Sequence, residues 1–151
     1  MTMLWRSLWV YNVLMARDKI HEMVKNALGK AGWIITHDPY EIVYEDVQLF
    51  ADLAARKPIG AEKDGEKIAI EVKSFLSRSP VYDFEQALGQ YLLYRFFLQA
   101  NDSERRIFLA MSRFAYQKVF QRKGLELARA HYQLNLVIID IEREEILRWI
   151  E

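Results

Sequence analysis

The chain has 151 residues, 52% of them hydrophobic and 13% aromatic, so it is long and apolar enough to fold as one domain with a buried core. It carries 21 basic and 21 acidic side chains, whereas proteins that hold DNA without sequence preference usually have a basic excess. The absence of cysteine excludes disulfides, thiolate zinc sites and thiol nucleophiles, and it is compatible with the cytoplasmic location that we expect.

The first 14 residues, MTMLWRSLWVYNVL, form an apolar and aromatic extension. The extension is too short to span a bilayer, and no small-residue cleavage site of a signal peptide follows it. It is interpreted either as a surface extension or as an amphipathic anchor for a partner or a membrane. We favour the surface extension, expect no membrane association, and predict that residues 15–151 form the domain.

The domain alternates between helical and strand-like patterns. The predicted elements are a helix over residues 17–31, strands over 33–36, 48–55 and 67–74, a helix over 79–100, a strand over 106–111, a helix over 114–133 that breaks near Gly124, and strands over 134–140 and 146–150. Residues 40–44 are interpreted either as a further strand or as an ordered loop. This order favours an α/β domain in which helices cover the faces of a mixed sheet.

The helix predicted over residues 79–100 begins with Ser79 and Pro80, a pair typical of an N-cap followed by the first helical turn. Apolar residues then recur at helical spacing, which predicts the face that packs on the sheet. The predicted core stripe consists of Val81, Phe84, Leu88, Tyr91, Leu92 and Leu98, together with Arg95.

Three charged side chains stand in the two strands that are predicted most clearly. Side chains alternate between the faces of a strand, so Glu71 and Lys73 share one face. A hairpin centred between Ala61 and Glu62 places Asp52 opposite Glu71 on that face. The same alternation predicts an apolar face made of Ala51, Leu53, Ile68, Ile70 and Val72.

Two carboxylates and one ammonium group therefore converge. Neighbouring carboxylates repel, and the pKa of one of them rises unless a cation intervenes. Magnesium is typically held by one or two carboxylates, and a nearby lysine can orient water or stabilise phosphate charge. The alternative is an ordinary ion-pair trio on a surface hairpin, and the spacing D-x(18)-E-x-K alone does not separate the two.

The segments GWIITHDP, IAIEVKSFLSRS and ALGQYLLYR carry a resemblance to a known family. From residue 15 to residue 150 the chain resembles the XisH family, the fdxN-element excision controlling factors, which belong to the PD-(D/E)XK nuclease-like superfamily. The resemblance implies a restriction-endonuclease-like α/β fold with a mixed central sheet flanked by helices. It also implies metal-dependent phosphodiester hydrolysis of DNA during site-specific excision of a DNA element.

The resemblance also implies a site. Asp52, Glu71 and Lys73 match the catalytic triad of the superfamily, in which Asp52 and Glu71, helped by the Val72 carbonyl, would hold Mg²⁺ or Mn²⁺. Lys73 would position the attacking water.

The predicted helix over residues 79–100 and the first helix add candidates. Gln90 and Tyr94 match a Q-x-x-x-Y element of RecB-like members that shapes the site, although Gln90 is equally interpreted as a polar helix–sheet contact. Of His21 and Glu22, which point about 100° apart on a helix, we expect only one to face the site. The loop residues Ser74, Ser77 and Arg78 are candidates for phosphate contacts or for plain turn chemistry.

Three functions stay open at this point. The chain is a metal-dependent nuclease, a non-catalytic accessory factor in DNA recombination, or a partner-binding scaffold whose companion, by the resemblance, is a XisI-type protein. Because its net charge is +0, any contact with DNA must come from a local patch, a homo-oligomer or a partner.

Overall fold

A computed structural model describes residues 19–58 and 65–151. Helix α1 occupies residues 19–30. The other elements are β1 (Ile34–His37), β2 (Tyr40–Tyr44), β3 (Val47–Ala51), β4 (Leu53–Lys57), β5 (Glu66–Val72), α2 (Pro80–Asn101), β6 (Arg105–Ser112), α3 (Arg113–Phe120), α4 (Lys123–Tyr132), β7 (Leu136–Asp140) and β8 (Glu145–Ile150). No helix in these two ranges is long and apolar enough to cross a membrane. The predicted extension, residues 1–14, lies outside them.

The strands form a six-stranded mixed sheet in the order β1-β4-β5-β6-β7-β8, and β2 pairs with β3 in a separate two-stranded sheet. In the larger sheet, β5, β6 and β7 run parallel, and the outer pairings are antiparallel. Helices connect the parallel strands, as parallel pairing requires. The prediction of a mixed central sheet flanked by helices is confirmed.

Both faces of the central strands are buried, which explains why these strands are almost continuously apolar. One face carries Ala69, Ile107, Leu109, Met111, Leu136 and Ile138, which pack with α2 and α3. The other face carries Leu53, Ile68, Ile70, Phe108, Ala110, Val137 and Ile139, which pack with Val24, Ala27 and Leu28 of α1. The alternation in β5 places Ala69 and the position of Glu71 on the α2 side.

The strand predicted over residues 48–55 is two strands, which is a correction. The chain bends at Asp52, so that β3 pairs only with β2, whereas β4 pairs with β1 and β5. Because of the bend, Ala51 packs in the core on the α2 side, while Leu53 packs with Ile68 in the opposite core. The prediction that Ala51 shares a face with Leu53 was therefore wrong.

The buried face of α2 also differs from the predicted stripe. Val81 is 48% exposed, and Arg95, Leu88 and Leu92 are only partly buried. The residues that α2 buries are Asp83, Phe84, Ala87, Tyr91, Tyr94, Phe97 and Leu98. The face is rotated because the β2–β3 hairpin covers a second side of the helix, where the rings of Tyr44 and Phe97 lie 5.5 Å apart.

The remaining predictions concern the residues at which helices begin. The predicted break near Gly124 lies two residues earlier, at Arg122, which is the N-cap of α4. Ser79 is the N-cap of α2, and its side chain accepts a hydrogen bond from the Tyr82 amide, as predicted.

The core of α2 gives a stability prediction. Phe84 is 5% exposed, and its ring lies edge-on to Phe120 with centroids 5.9 Å apart. We expect Phe84→Ala to lower the free energy of unfolding by roughly 3–5 kcal/mol, because it leaves a cavity. Val81→Ala, the exposed control on the same helix, should change it by less than about 0.5 kcal/mol. Chemical denaturation measures both, and equal effects would mean that the buried face is misassigned.

Candidate active site

The hairpin of β4 and β5 brings the predicted carboxylates together. Leu53 pairs with Ile70 and Ala54 with Ala69, so the same register, continued by one residue, sets Asp52 opposite Glu71. This is the register predicted from a hairpin centred between residues 61 and 62. The side chains that follow Ala69 on its face belong to Glu71 and Lys73, and they point toward α2.

Asp52 is held at the bend between β3 and β4. Its Oδ2 accepts a hydrogen bond of 2.7 Å from the backbone amide of Val72. This contact ties the bend to the last residue of β5 and keeps the Asp52 carboxylate beside Glu71. The Val72 amide, a group that was not singled out from the sequence, is thus what orients Asp52, and metal binding by the Val72 carbonyl stays a prediction.

Glu71 is the most unusual side chain of the site. It is 7% exposed, and its Oε2 has no hydrogen-bond partner among the described residues. Burial, and then the charge and hydrogen bonding of Asp52, raise its pKa to about 9, although Lys73 and Tyr94 act in the opposite direction. A buried carboxylate oxygen without a hydrogen-bond partner is costly, so this position favours a bound proton or a bound cation.

A chain of hydrogen bonds links Lys73 to α2. The Lys73 ammonium donates to Oε1 of Gln90, and Nε2 of Gln90 donates to the Tyr94 hydroxyl over 3.0 Å. The Tyr94 hydroxyl in turn donates to the Phe50 carbonyl over 2.7 Å. Burial and the Glu71 charge raise the pKa of Tyr94 to about 12, so its hydroxyl stays a donor. Gln90 and Tyr94 therefore connect the lysine to the β3 side of the bend.

These residues line a cleft of about 960 Å³ between the sheet, α2 and the loop after β5. The charged and polar residues of its lining are His21, Asp52, Glu71, Lys73, Ser74, Ser77, Asp83, Gln86 and Gln90. The cleft is thus open to a ligand, and the paired carboxylates lie in its lining rather than in a sealed core.

The loop after β5 is fixed by a residue that sequence reasoning missed. The Lys118 ammonium of α3 donates to the carbonyls of Phe75 and Ser77, and to Oδ2 of Asp83 over 3.0 Å. Phe75 adopts a positive φ of 51°, which a bulky side chain rarely does, and these bonds hold it there. Nothing near Lys118 in the sequence indicated these contacts.

The secondary candidates are only partly brought together. His21 lines the cleft and also bonds Asp38 at 2.8 Å, whereas Glu22 does not line the cleft. Ser74 and Ser77 line the cleft, whereas Arg78 is exposed outside its lining. The roles of all of these residues stay predictions.

A second group of possible metal ligands lies nearby. His21, Glu22 and Asp38 each offer one ligand atom, and these atoms lie within 4.8 Å of one another. However, the Lys25 ammonium already pairs with the Asp38 carboxylate at 2.8 Å, so a protein side chain balances the charge of this carboxylate.

The pair of Asp52 and Glu71 fits Mg²⁺ or Mn²⁺ better. Hard divalent cations prefer carboxylate oxygens, and a cation would give the buried Glu71 Oε2 the partner that it lacks among the described residues.

The fold and the cleft define an α/β protein with a two-carboxylate, one-lysine site on a mixed sheet. The model of the family described as XisH protein matches residues 14–147. The chain therefore belongs to the XisH family. No curated protein matches it.

Two crystal structures are similar to this chain. An XisH family protein from Nostoc punctiforme PCC 73102 is 40% identical with a TM-score of 0.80, over 88% of this chain and 99% of that one. An fdxN element excision controlling factor protein from Anabaena variabilis is 38% identical with a TM-score of 0.78, over 89% of this chain and 99% of that one.

The raised pKa of Glu71 predicts a pH dependence of stability in the metal-free protein. The folded state keeps the proton up to a pH of about 9, whereas the unfolded chain releases it near 4.5, so Glu71 contributes stability below pH 4.5 that is lost as the pH rises toward 9. The free energy of unfolding of Glu71→Gln, relative to that of wild type, should therefore increase as the pH rises, by up to about 1.4 kcal/mol per pH unit in this window.

Urea denaturation in EDTA from pH 5 to pH 9 measures this difference. Glu85→Gln removes an exposed carboxylate of α2 and is the matched control, which should follow wild type. If the free energy of unfolding of Glu71→Gln has the same pH dependence as that of wild type across the window, the pKa of Glu71 is not raised in the folded protein.

Proposed function

We propose that this chain is a metal-dependent phosphodiesterase that acts on DNA, with the restriction-endonuclease-like fold of the PD-(D/E)XK superfamily. The observation that carries the proposal is Glu71, a buried carboxylate with an unpartnered oxygen, held beside Asp52 in an open cleft. A purely structural ion pair would not leave a carboxylate oxygen buried and unsatisfied, because its desolvation would go uncompensated.

Asp52 and Glu71 are the residues that would hold Mg²⁺ or Mn²⁺, together with the Val72 carbonyl. When bound, the divalent cation supplies positive charge that polarises a phosphate oxygen and stabilises the leaving oxygen. Asp52 is pre-oriented for this role by the Val72 amide. Glu71 has to release the proton that burial favours, so metal affinity should rise with pH.

Lys73 is the residue that would position the attacking water. Hydrolysis joins the oxygen of water to phosphorus as that water loses one proton, and it breaks the bond to one ester oxygen, which takes up one proton as it leaves. The Lys73 ammonium can hold the water or a phosphate oxygen by charge-assisted hydrogen bonds. Its link to Gln90, and through Gln90 to Tyr94, restricts where the ammonium can lie. Such restriction lowers the cost of bringing water and phosphate into line.

The biological setting follows from the family. One similar structure is named an fdxN element excision controlling factor, and this supports a role for the chain in site-specific excision of a DNA element. The net charge of +0 supports delivery to DNA by a partner or by oligomerisation, since phosphate contacts need basic side chains. A XisI-type protein is the partner that we propose.

A second function is favoured by the same charge balance. The lysine of the cleft lining is Lys73, and no arginine lines the cleft in the described part of the chain. An accessory factor that binds metal and assembles with a recombinase, without cutting DNA itself, would need no more basic side chains for phosphate contacts than this cleft has. The two functions share the metal site and differ in cleavage.

Cleavage of labelled DNA with Mg²⁺ or Mn²⁺ tests the proposal. We expect metal-dependent cutting by wild type and at least about a 100-fold loss in Asp52→Asn and in Lys73→Ala, since each removes a group that the reaction needs. The matched controls Asp46→Asn and Lys123→Ala change exposed residues and should keep wild-type rates.

Thermal melts with and without the metal complete the test. A ligand that prefers the folded state raises the melting temperature, so wild type should be stabilised by Mn²⁺ and Asp52→Asn should not. Stabilisation without cleavage on single-stranded, duplex and branched DNA would favour the accessory function. Equal melts of both proteins with and without metal would contradict the metal site, and with it both functions.

A further inference from the structure

Positive charge is concentrated in the part of the chain that contains helix α3. Residues 105–125 include six arginines and lysines and no aspartate or glutamate, although the whole chain has a net charge of +0. Three of the six pair with carboxylates elsewhere in the fold, namely Arg105, Arg106 and Lys118. The other three are exposed and have no acidic partner among the described residues, namely Arg113, Arg122 and Lys123.

Two further arginines flank α3. Arg78 lies in the loop after β5, next to Ser77, whose carbonyl accepts a hydrogen bond from the Lys118 ammonium. Arg148 of β8 lies over the ring of Tyr116 in α3, with its guanidinium carbon 5.4 Å from the ring centroid. Both arginines are exposed and lack an acidic partner in residues 19–58 and 65–151. The five side chains without an acidic partner are named here the basic surface: Arg78, Arg113, Arg122, Lys123 and Arg148.

The basic surface begins at the same end of the main sheet as the candidate site. Strands β5 and β6 run parallel, and the Lys73 amide donates to the Ala110 carbonyl over 2.8 Å. Arg113 follows Ala110 by three residues and is the first residue of α3, so it lies about one strand spacing to the side of Lys73. The loop that carries Arg78 also carries Ser77, which lines the cleft. A chain of phosphates that lies along α3 can therefore continue into the cleft.

The acids that lie close to this surface in the sequence or at this end of the sheet are held in other contacts. Glu126, the first acid after the basic run, is bonded by the guanidinium of Arg129 over 2.9 Å. In the turn between β7 and β8, Glu144 accepts a hydrogen bond of 2.6 Å from Asn26 of α1, and Lys30 bonds a carbonyl of the same turn over 2.8 Å. Helix α1 packs on the face of the sheet opposite α3, so these contacts hold the turn away from the basic surface.

We propose that the basic surface holds the phosphate backbone of a DNA duplex that leads into the cleft. This inference rests on the proposed action of the site on DNA, and it supplies the local patch that DNA contact requires in a chain without net charge. A phosphate backbone is the polyanion that a cutting site and the adjoining cations would share.

The dimensions and the side chains of the surface suit this ligand. Helix α3 has 8 residues and is about 12 Å long, which matches roughly three phosphates of one strand at about 3.4 Å of axis per phosphate. Four of the five cations are arginines, whose planar guanidinium groups match phosphate oxygens in pairs. Contacts of this kind fix the position of a duplex without reading its sequence.

Fluorescence anisotropy of the full chain with a labelled duplex of about 30 base pairs tests the proposal in EDTA, where no metal-dependent cleavage occurs. Each phosphate contact that is lost lowers the slope of log K against log salt by about 0.9. The double variant Arg113→Gln/Arg122→Gln should therefore lower this slope by about 1.8 and weaken binding at least about tenfold at about 50 mM salt.

The matched control removes the same charge at the opposite end of the sheet. Arg56 and Lys67 are partly exposed partners on β4 and β5, and Lys67 lies six residues before Lys73. Arg56→Gln/Lys67→Gln should bind the duplex within about twofold of wild type and keep the wild-type slope. Thermal melts should show that both double variants are folded, since none of the four side chains belongs to the buried core.

Three results would overturn the basic surface: no duplex binding by wild type at about 50 mM salt, equal weakening in the two double variants, or wild-type binding by Arg113→Gln/Arg122→Gln. Displacement of the duplex by poly-L-glutamate as readily as by unlabelled duplex would overturn it in favour of an acidic protein partner. None of these results changes the metal response of wild type or its loss in Asp52→Asn, so the basic surface and the proposed nuclease can fail separately.

Discussion

The burial of Glu71 beside Asp52 is the constraint around which this molecule is organised. Desolvation and a neighbouring negative charge both oppose ionisation of Glu71, and together they raise its pKa to about 9. A sheet gains nothing in stability from such a position, since an apolar residue there would pack without that cost. A proton or a metal ion bound between these carboxylates in the functional protein would offset that cost.

Three parts of the fold act to hold that pair in an open cleft. The bend at Asp52 takes its carboxylate out of a regular ladder and ties it to the Val72 amide. Helix α2 presents Gln90 and Tyr94, which connect Lys73 to the Phe50 carbonyl. Lys118 fixes the loop that forms the opposite wall. Rigid support of this kind is what a site needs if charged groups are to be pre-oriented instead of rearranging during a reaction.

Much of the site could be predicted from the sequence because its determinants are local. The alternation of Ile68, Ile70 and Val72 with Glu71 and Lys73 predicts the faces of β5, and a hairpin centred between residues 61 and 62 predicts the register of β4 with β5. The spacing of Gln90 and Tyr94 places both on one side of α2. These relations involve neighbouring strands or single helical turns, where patterns are informative.

The features that were missed depend on contacts between distant segments. The residues around Asp52 have strand propensity throughout, and only the pairing of β3 with β2 instead of the main sheet breaks the strand in two. The face of α2 is rotated by a hairpin that covers it from a second side, which no helical periodicity can reveal. Lys118 reaches backbone carbonyls that are 41 and 43 residues away in the chain. Tertiary packing thus decided each of these points against local propensity.

A crystal soaked in Mn²⁺ and measured for anomalous scattering tests whether Asp52 and Glu71 hold a metal ion. We expect an anomalous peak between the carboxylates of Asp52 and Glu71, with Lys73 still bonded to Gln90. A soaked crystal with well-ordered Asp52 and Glu71 and no peak between them would contradict it. So would a peak confined to the group of His21, Glu22 and Asp38.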